Sequence, residues 1–150
     1  MKLTLTLVVF TAILPLGAQD KSLTCDDRKS WNDNGRQQRS CEMREFPIAA
    51  VPRMIVDGRT NGGISVKGAN RSDILVRARI ETWAPTSGEA RSIAGQINIQ
   101  TAGGNVHADA PDFGSERGWS VSYEIFVPQR TDLSLKAHNG GIKIADTTGG

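Results

Sequence analysis

One phrase is written three times along this chain: a strand-patterned run, a proline, a second apolar pair, a turn built on Gly-Gly, and another strand-patterned run. The copies span Cys41 to Lys67, Ile74 to Asp109 and Trp119 to Asp146. Their prolines are Pro47, Pro85 and Pro128, and their turn glycines are Gly62 and Gly63, Gly103 and Gly104, and Gly140 and Gly141. A strand-bearing repeat of about 40 residues buries its apolar face only by stacking on its neighbours. No acid, base or nucleophile recurs with the phrase. The repeat therefore describes a stacked β-scaffold and argues for a structural or surface role before a catalytic one.

Alternation carries the strand reading. In Ile74 to Thr82, residues Ile74, Val76, Ala78, Ile80 and Thr82 share a core face, and Leu75, Arg77, Arg79, Glu81 and Trp83 a charged, solvated one. From Trp119 to Val127, residues Trp119, Val121, Tyr123, Ile125 and Val127 point inward by the same rule. Shorter apolar pairs flank each glycine pair: Met54 and Val56 with Ile64 and Val66, Ile97 and Ile99 with Val106 and Ala108, Leu133 and Leu135 with Ile142 and Ile144. These are expected to form the stacked rungs of an all-β array. Asn61-Gly62 and Asn139-Gly140 are strong turn signals, because both residue types tolerate positive φ. Each turn is either a hairpin or the corner of a coil, and the pattern fits both. One short helix interrupts the strands: Thr86 and Glu89 have capping-box spacing, Ala90, Ile93, Ala94 and Ile97 follow at helical spacing, and Gly95 is placed to end it. It reads as an insertion that plugs the β-core, and Trp83 beside it is expected to pack on the helix.

The first residues read as a leader. Lys2 precedes an apolar and Thr-rich run from Leu3 to Leu16, too short to span a bilayer comfortably, and Leu16-Gly17-Ala18 ends in small residues. Residues 1–18 are expected to be a signal peptide cleaved after Ala18, with no membrane span left after cleavage. In an exported chain the only two cysteines, Cys25 and Cys41, are expected to pair. The pair would close a polar surface loop in the segment 19–40 and contribute about 3 kcal/mol by the chain-entropy model. Structural zinc needs more ligands than two cysteines with distant histidines supply.

The charges are nearly balanced, at a formal net +2, and well mixed, so there is no basic stripe for nucleic acid. His107 and His138 each lie near a glycine turn, with no carboxylate–histidine–nucleophile order around them. The acidic stretch Asp109 to Glu116 lacks the regular ligand spacing of a calcium loop. The glycine turns lack the lysine and following helix of a phosphate loop. The reading is therefore of no catalytic residue, no metal and no cofactor. Trp31, Trp83 and Phe126 are the aromatics placed to stack on a sugar or seed an interface.

Three phrases carry a resemblance: Asp57 to Gly68 with its Asn-Gly-Gly-Ile-Ser-Val, Ile74 to Ile80, and His138-Asn139-Gly140-Gly141-Ile142-Lys143-Ile144. Together residues 41–150 resemble the bacterial adhesin-like domain family DUF4097, although Ala102-Gly103-Gly104-Asn105 departs from the phrase. The resemblance implies a right-handed β-solenoid-like array, exported to the periplasm, cell surface or medium. It also implies an adhesin-like binding or scaffolding role toward a protein or glycan surface. The third copy ends close to Gly150 without a polar capping unit, so the array is expected to be truncated, with a β-edge open to edge-to-edge self-association. Two rival readings are an envelope enzyme with its site in a missing C-terminal part, and an assembly or signalling module that pairs through that edge.

Overall fold

A computed structural model of the chain describes residues 21–26 and 35–150. The signal-peptide reading with its cut after Ala18, and the side chain of Trp31, lie outside the described residues. Among the described residues, nine strands and one α-helix follow in the order β1 (Gln38–Ala49), β2 (Arg53–Asp57), β3 (Ile64–Ala69), β4 (Asp73–Ala84), α1 (Ser87–Gln96), β5 (Asn98–Gln100), β6 (Asn105–Asp109), β7 (Gly118–Pro128), β8 (Asp132–Lys136) and β9 (Ile142–Ala145). The fold is mostly β. The described residues contain no helix long and apolar enough to cross a membrane.

Two sheets face each other. The larger has the order β1-β4-β7-β3-β9 and the smaller β5-β6-β2-β8. Strands β1, β4 and β7 are long and antiparallel. Beyond them β3 pairs parallel with both β7 and β9, and β2 pairs parallel with both β6 and β8. The inward faces meet the alternation rule. Ile74, Val76, Ala78, Ile80 and Thr82 are fully buried, as are Met54, Val56, Val106, Ile125 and Val127. Each buried Ile or Val contributes about 1.5–3 kcal/mol relative to exposure.

The copies do not follow one another along the stack. Strand pairs β2–β3 and β8–β9 each cross from the small sheet to the large one, and β6–β7 makes a third such crossing. In space β2–β3 lies in the middle, with β6–β7 on one side and β8–β9 on the other. The β6–β7 crossing straddles the second and third sequence copies, so the structural unit is offset from the written one. The turns separate into two kinds. Gly62-Gly63 and Gly140-Gly141 lie at corners between sheets. Gly103-Gly104 lies in a 3-10 turn between the antiparallel strands β5 and β6, a hairpin within one sheet. Only the second copy, which lacks the Asn-Gly phrase, makes the hairpin.

Helix α1 begins as its spacing predicts, with Glu89 N donating to Thr86 Oγ1 at 3.2 Å. It does not stop at Gly95 but runs to Gln96. Arg44, an inward residue of β1, donates to the carbonyls of Ala94 and Ile97 at 2.8 and 2.7 Å and so satisfies the last turn. Ala90, Ile93 and Ala94 are buried against the large sheet, and Thr82 Oγ1 donates to the Ala90 carbonyl at 2.6 Å. Trp83 is turned the other way. Strand alternation that brings Thr82 to the helix puts Trp83 on the outer face, so the expectation that it packs on the helix is corrected.

Candidate functional site, a cleft at the corner of the two sheets

The corners of copies one and three stack closely. Asn139 N donates to the Thr60 carbonyl at 3.0 Å, His138 N to the Arg59 carbonyl at 3.3 Å, and Asn139 Nδ2 to Asn61 Oδ1 at 3.4 Å. The glycines at these corners permit close approach. A Cβ on Gly62 would overlap the carbonyl oxygen of Val121, and one on Gly140 would overlap that of Gly62. Positive φ, expected at the Asn-Gly corners, occurs instead at Gly103 and Gly104 in the hairpin (61° and 77°) and at Arg59 (54°), outside the Gly-Gly pair.

Beside the first corner is a cleft of about 300 Å³, lined by Arg59, Thr60, Asn61, Trp83, Pro111, Asp112, Phe113, Gly114, Arg117, Gly118 and Trp119. Three local features build it. In the large sheet, register sets Arg39, Trp83 and Gly118 side by side. Because Gly118 has no side chain, the Trp83 indole lies over its backbone, where any Cβ would collide with the ring. The Arg39 guanidinium sits 5.7 Å from the centre of the same ring, a cation–π contact. The connection between β6 and β7 brings Phe113 and Arg117, and the corner brings Arg59 and Asn61.

The cleft's cations are held by carboxylates. Arg59 Nη2 donates to Asp109 Oδ1 at 2.8 Å and Arg59 Nε to the Ala108 carbonyl at 3.2 Å, while Arg59 N donates to Asp57 Oδ1 at 2.8 Å. Arg117 Nη2 donates to Glu89 Oε1 at 2.7 Å, and this bond holds the Glu89 carboxyl below its usual range. Both guanidinium groups are thereby fixed in direction with donor capacity left over, five N–H groups each. The site can accept a ligand with apolar faces and polar edges.

Neither histidine lines the cleft, although each lies next to the Arg59 that does. His107 Nε2 lies 3.2 Å from Asp109 Oδ2, a carboxylate already engaged by Arg59. His138 is exposed at the third copy's corner. The acidic stretch is engaged internally at Asp112, whose Oδ1 accepts from Gly114 N at 2.9 Å. The described residues contain no group of three or more His, Cys, Asp or Glu placed to hold a metal. Phe126 is half-buried in the row Pro47, Leu75, Phe126 and Lys67, apart from the cleft. Of the two described aromatics singled out from the sequence, Trp83 lines the cleft and Phe126 does not. Trp119 and Phe113 escaped that reading because one begins a strand with an inward assignment and the other stands in a connection with no period.

Cys25 and Cys41 form a disulfide. The segment 21–26 is strapped by it across the outer face of the large sheet. There Arg77 donates to Glu45 at 2.8 Å, to Ser22 Oγ at 2.6 Å and to Glu124, and Arg79 donates to the Thr24 carbonyl at 3.3 Å. Burial works against the Arg77 charge, but the two glutamates outweigh it and hold its pKa above the ordinary value. The face that alternation assigned to solvent is thus a covered charge network, with Arg77 and Glu124 side chains 17% and 14% exposed.

No family model matches the chain, and no curated protein matches it. One solved structure, described as that of a "putative adhesin" from Bacteroides fragilis, is similar at a TM-score of 0.39 and 13% identity over 69% of this chain. The match spans 42% of that protein's length.

Proposed function

We propose that this chain is an exported, non-enzymatic β-repeat protein of the bacterial envelope that binds a protein or glycan surface in an adhesin-like way. The observation that carries this reading is the cleft at the sheet corner. There Trp83 and Trp119 stand beside two carboxylate-anchored arginines and Asn61, on strands held in place by a filled core. Aromatic faces with fixed polar donors suit a pyranose ring or a mixed apolar and polar protein side. The Cys25–Cys41 disulfide suits an oxidising compartment outside the cytoplasm. The two Asn-Gly-Gly corners rest on each other, and β2 and β3 each pair parallel with both neighbours, which supports the β-solenoid-like reading for the β6–β7, β2–β3 and β8–β9 part of the chain. The binding mechanism is many weak contacts on a surface whose shape is fixed in advance.

Because two tryptophans line the cleft, their emission reports occupancy. The test is a screen of the whole chain against arrayed glycans and matrix-type proteins, followed by titration of any retained ligand under fluorescence. Retention with an emission shift, lost in Asn61→Ala with Arg117→Ala, is expected. An array with no retained ligand would sink the proposal. Turnover of a glycan or peptide panel that His107→Ala abolishes would instead establish the enzyme reading.

A further inference from the structure

The chain holds Asn-Gly at Asn34-Gly35, Asn61-Gly62 and Asn139-Gly140. Asn34 lies outside the described residues. The other two stand in nearly the same words, Thr60-Asn61-Gly62-Gly63-Ile64 and His138-Asn139-Gly140-Gly141-Ile142, at corners that rest on each other. Both asparagines are exposed. The amides that follow them differ. Gly62 is buried, and its N donates to the Gly58 carbonyl at 3.1 Å, closing a turn within the corner. Gly140 is half-buried, and its N has no hydrogen-bond partner among the described residues. Corner length is the cause. Residues 58–63 link β2 to β3, and residues 137–141 link β8 to β9, one residue fewer. Counting outward from the registered pairs Asp57–Lys136 and Ile64–Ile142, Ala137 stands where Gly58 does and Gly140 where Gly62 does. The pair that closes the first turn is therefore one residue too near in the third corner, and no such bond forms.

We propose that Asn139-Gly140 is a self-modification site, where the asparagine converts to an aspartyl or isoaspartyl residue, and that the first corner keeps Asn61-Gly62 from the same reaction. A following glycine leaves its amide open as a nucleophile, because it puts no Cβ in the way. Gly140 N gives its proton to solvent base and bonds to Asn139 Cγ. The Cγ–Nδ2 bond breaks, and the amide leaves as ammonia with a proton taken from solvent. The five-membered imide that remains is opened by water. Opening at Cγ leaves an ordinary aspartyl residue, and opening at the backbone carbonyl leaves the chain running through Cβ and Cγ. Water is the only co-reactant. At Asn61 the same step must first break the bond from Gly62 to Gly58 and lift Gly62 from the Val121 carbonyl, which a Cβ there would meet at 2.0 Å. That requires the corner to open. The bonds of Asn139 hold neither reacting atom: its N donates to the Thr60 carbonyl, and its Nδ2 donates to Asn61 Oδ1 at 3.4 Å, longer than an ordinary N–H···O bond. Conversion acts on the stack. A carboxylate at 139 replaces that Nδ2 donor by an oxygen facing another oxygen. The isoaspartyl form also adds a backbone atom where Gly140 already stands against the Gly62 carbonyl. The third corner is pushed off Thr60 and Asn61, two residues of the cleft.

Peptide mapping of the whole chain, aged while folded in mildly alkaline buffer, tests this. Cleavage after Lys and Arg puts the three Asn-Gly pairs in separate peptides, residues 30–36, 60–67 and 137–143, and each is read by the mass gained when an amide becomes an acid. In the folded chain, conversion at Asn139 should outrun that at Asn61 at least about tenfold. In urea both corners are open, and the two should convert at comparable rates because their neighbours nearly match. The converted chain, separated by its added negative charge, should exchange the amide hydrogens of residues 138 and 139 faster, since their bonds to Arg59 and Thr60 are lost. Equal rates in the folded chain, a faster Asn61, a gap that persists in urea, or unchanged exchange at residues 138 and 139 would each overturn the proposal.

Discussion

Residue by residue, the paired glycines do unequal jobs. Gly62 stands where a Cβ would overlap the Val121 carbonyl and crowd that of Gly58, both backbone atoms that cannot swing aside. Gly141 faces open space. Gly62→Ala should cost about 2–4 kcal/mol, and Gly141→Ala should stay within about 0.5 kcal/mol, read as shifts in a urea midpoint. The sequence marked both positions but for the wrong reason, because Asn-Gly signals positive φ only when the turn closes on itself. Here each corner rests against another strand, and that approach is invisible until the strands are placed. Tyr123 offers a second test. Its ring is buried and its Oη has no hydrogen-bond partner among the described residues. Burial pushes the hydroxyl far above its ordinary value. The folded state therefore favours the neutral phenol. The stability that this confers is whole below about pH 10, where the unfolded tyrosine begins to ionise, and is lost as pH rises beyond it. Tyr123→Phe should be neutral or stabilising at pH 7 and should flatten the alkaline decline in thermal midpoint.

Among the elements, helix α1 is a local sequence signal completed by a distant residue. The capping box at Thr86 and Glu89 was readable from spacing alone. The end of the helix was not, since Arg44 is fifty residues from Ala94 in the chain and reaches it only because β1 lies beside β4. Arg44→Ala leaves the carbonyls of Ala94 and Ile97 without their charged donor. It should cost more than Thr86→Ala, whose loss of one cap is worth about 1 kcal/mol. Calorimetry of the two variants ranks them, and an Arg44→Ala melting point equal to that of Thr86→Ala would show that solvent replaces the guanidinium freely. The long strands were legible for a simpler reason. Each is buried on one face, so alternation records the burial directly. The same rule misread the opposite face of the large sheet as solvated, because the strap 21–26 that covers it arrives from a polar segment with no period.

Across the molecule the stack has a centre and two ends, and this order does not follow the chain. Strands β2 and β3 each have a neighbour on both sides, while β8 and β9 have one apiece. A solenoid read from sequence would make the three copies successive and their rungs equivalent, with Ile142 as buried as Ile64. The structure instead leaves Ile142 and Ile144 half open, so a polar change there should cost less folding stability than one at Ile64 or Val66. The central rung carries the load. Met54 is fully buried between sheets, and Met54→Ala should cost about 2–5 kcal/mol, whereas Ile144→Ala in dilute solution should cost less than about 1 kcal/mol because half of that side chain is already in water. Local opening follows the same gradient, since an amide in a strand flanked on both sides exchanges only when larger units separate. Hydrogen exchange in dilute solution should therefore be slowest in β2, β3, β4 and β7 and fastest in β9. Protection in β9 equal to that in β3 at dilution would mean that the outer coil opens only with the whole fold, and the distinction between centre and end would fail.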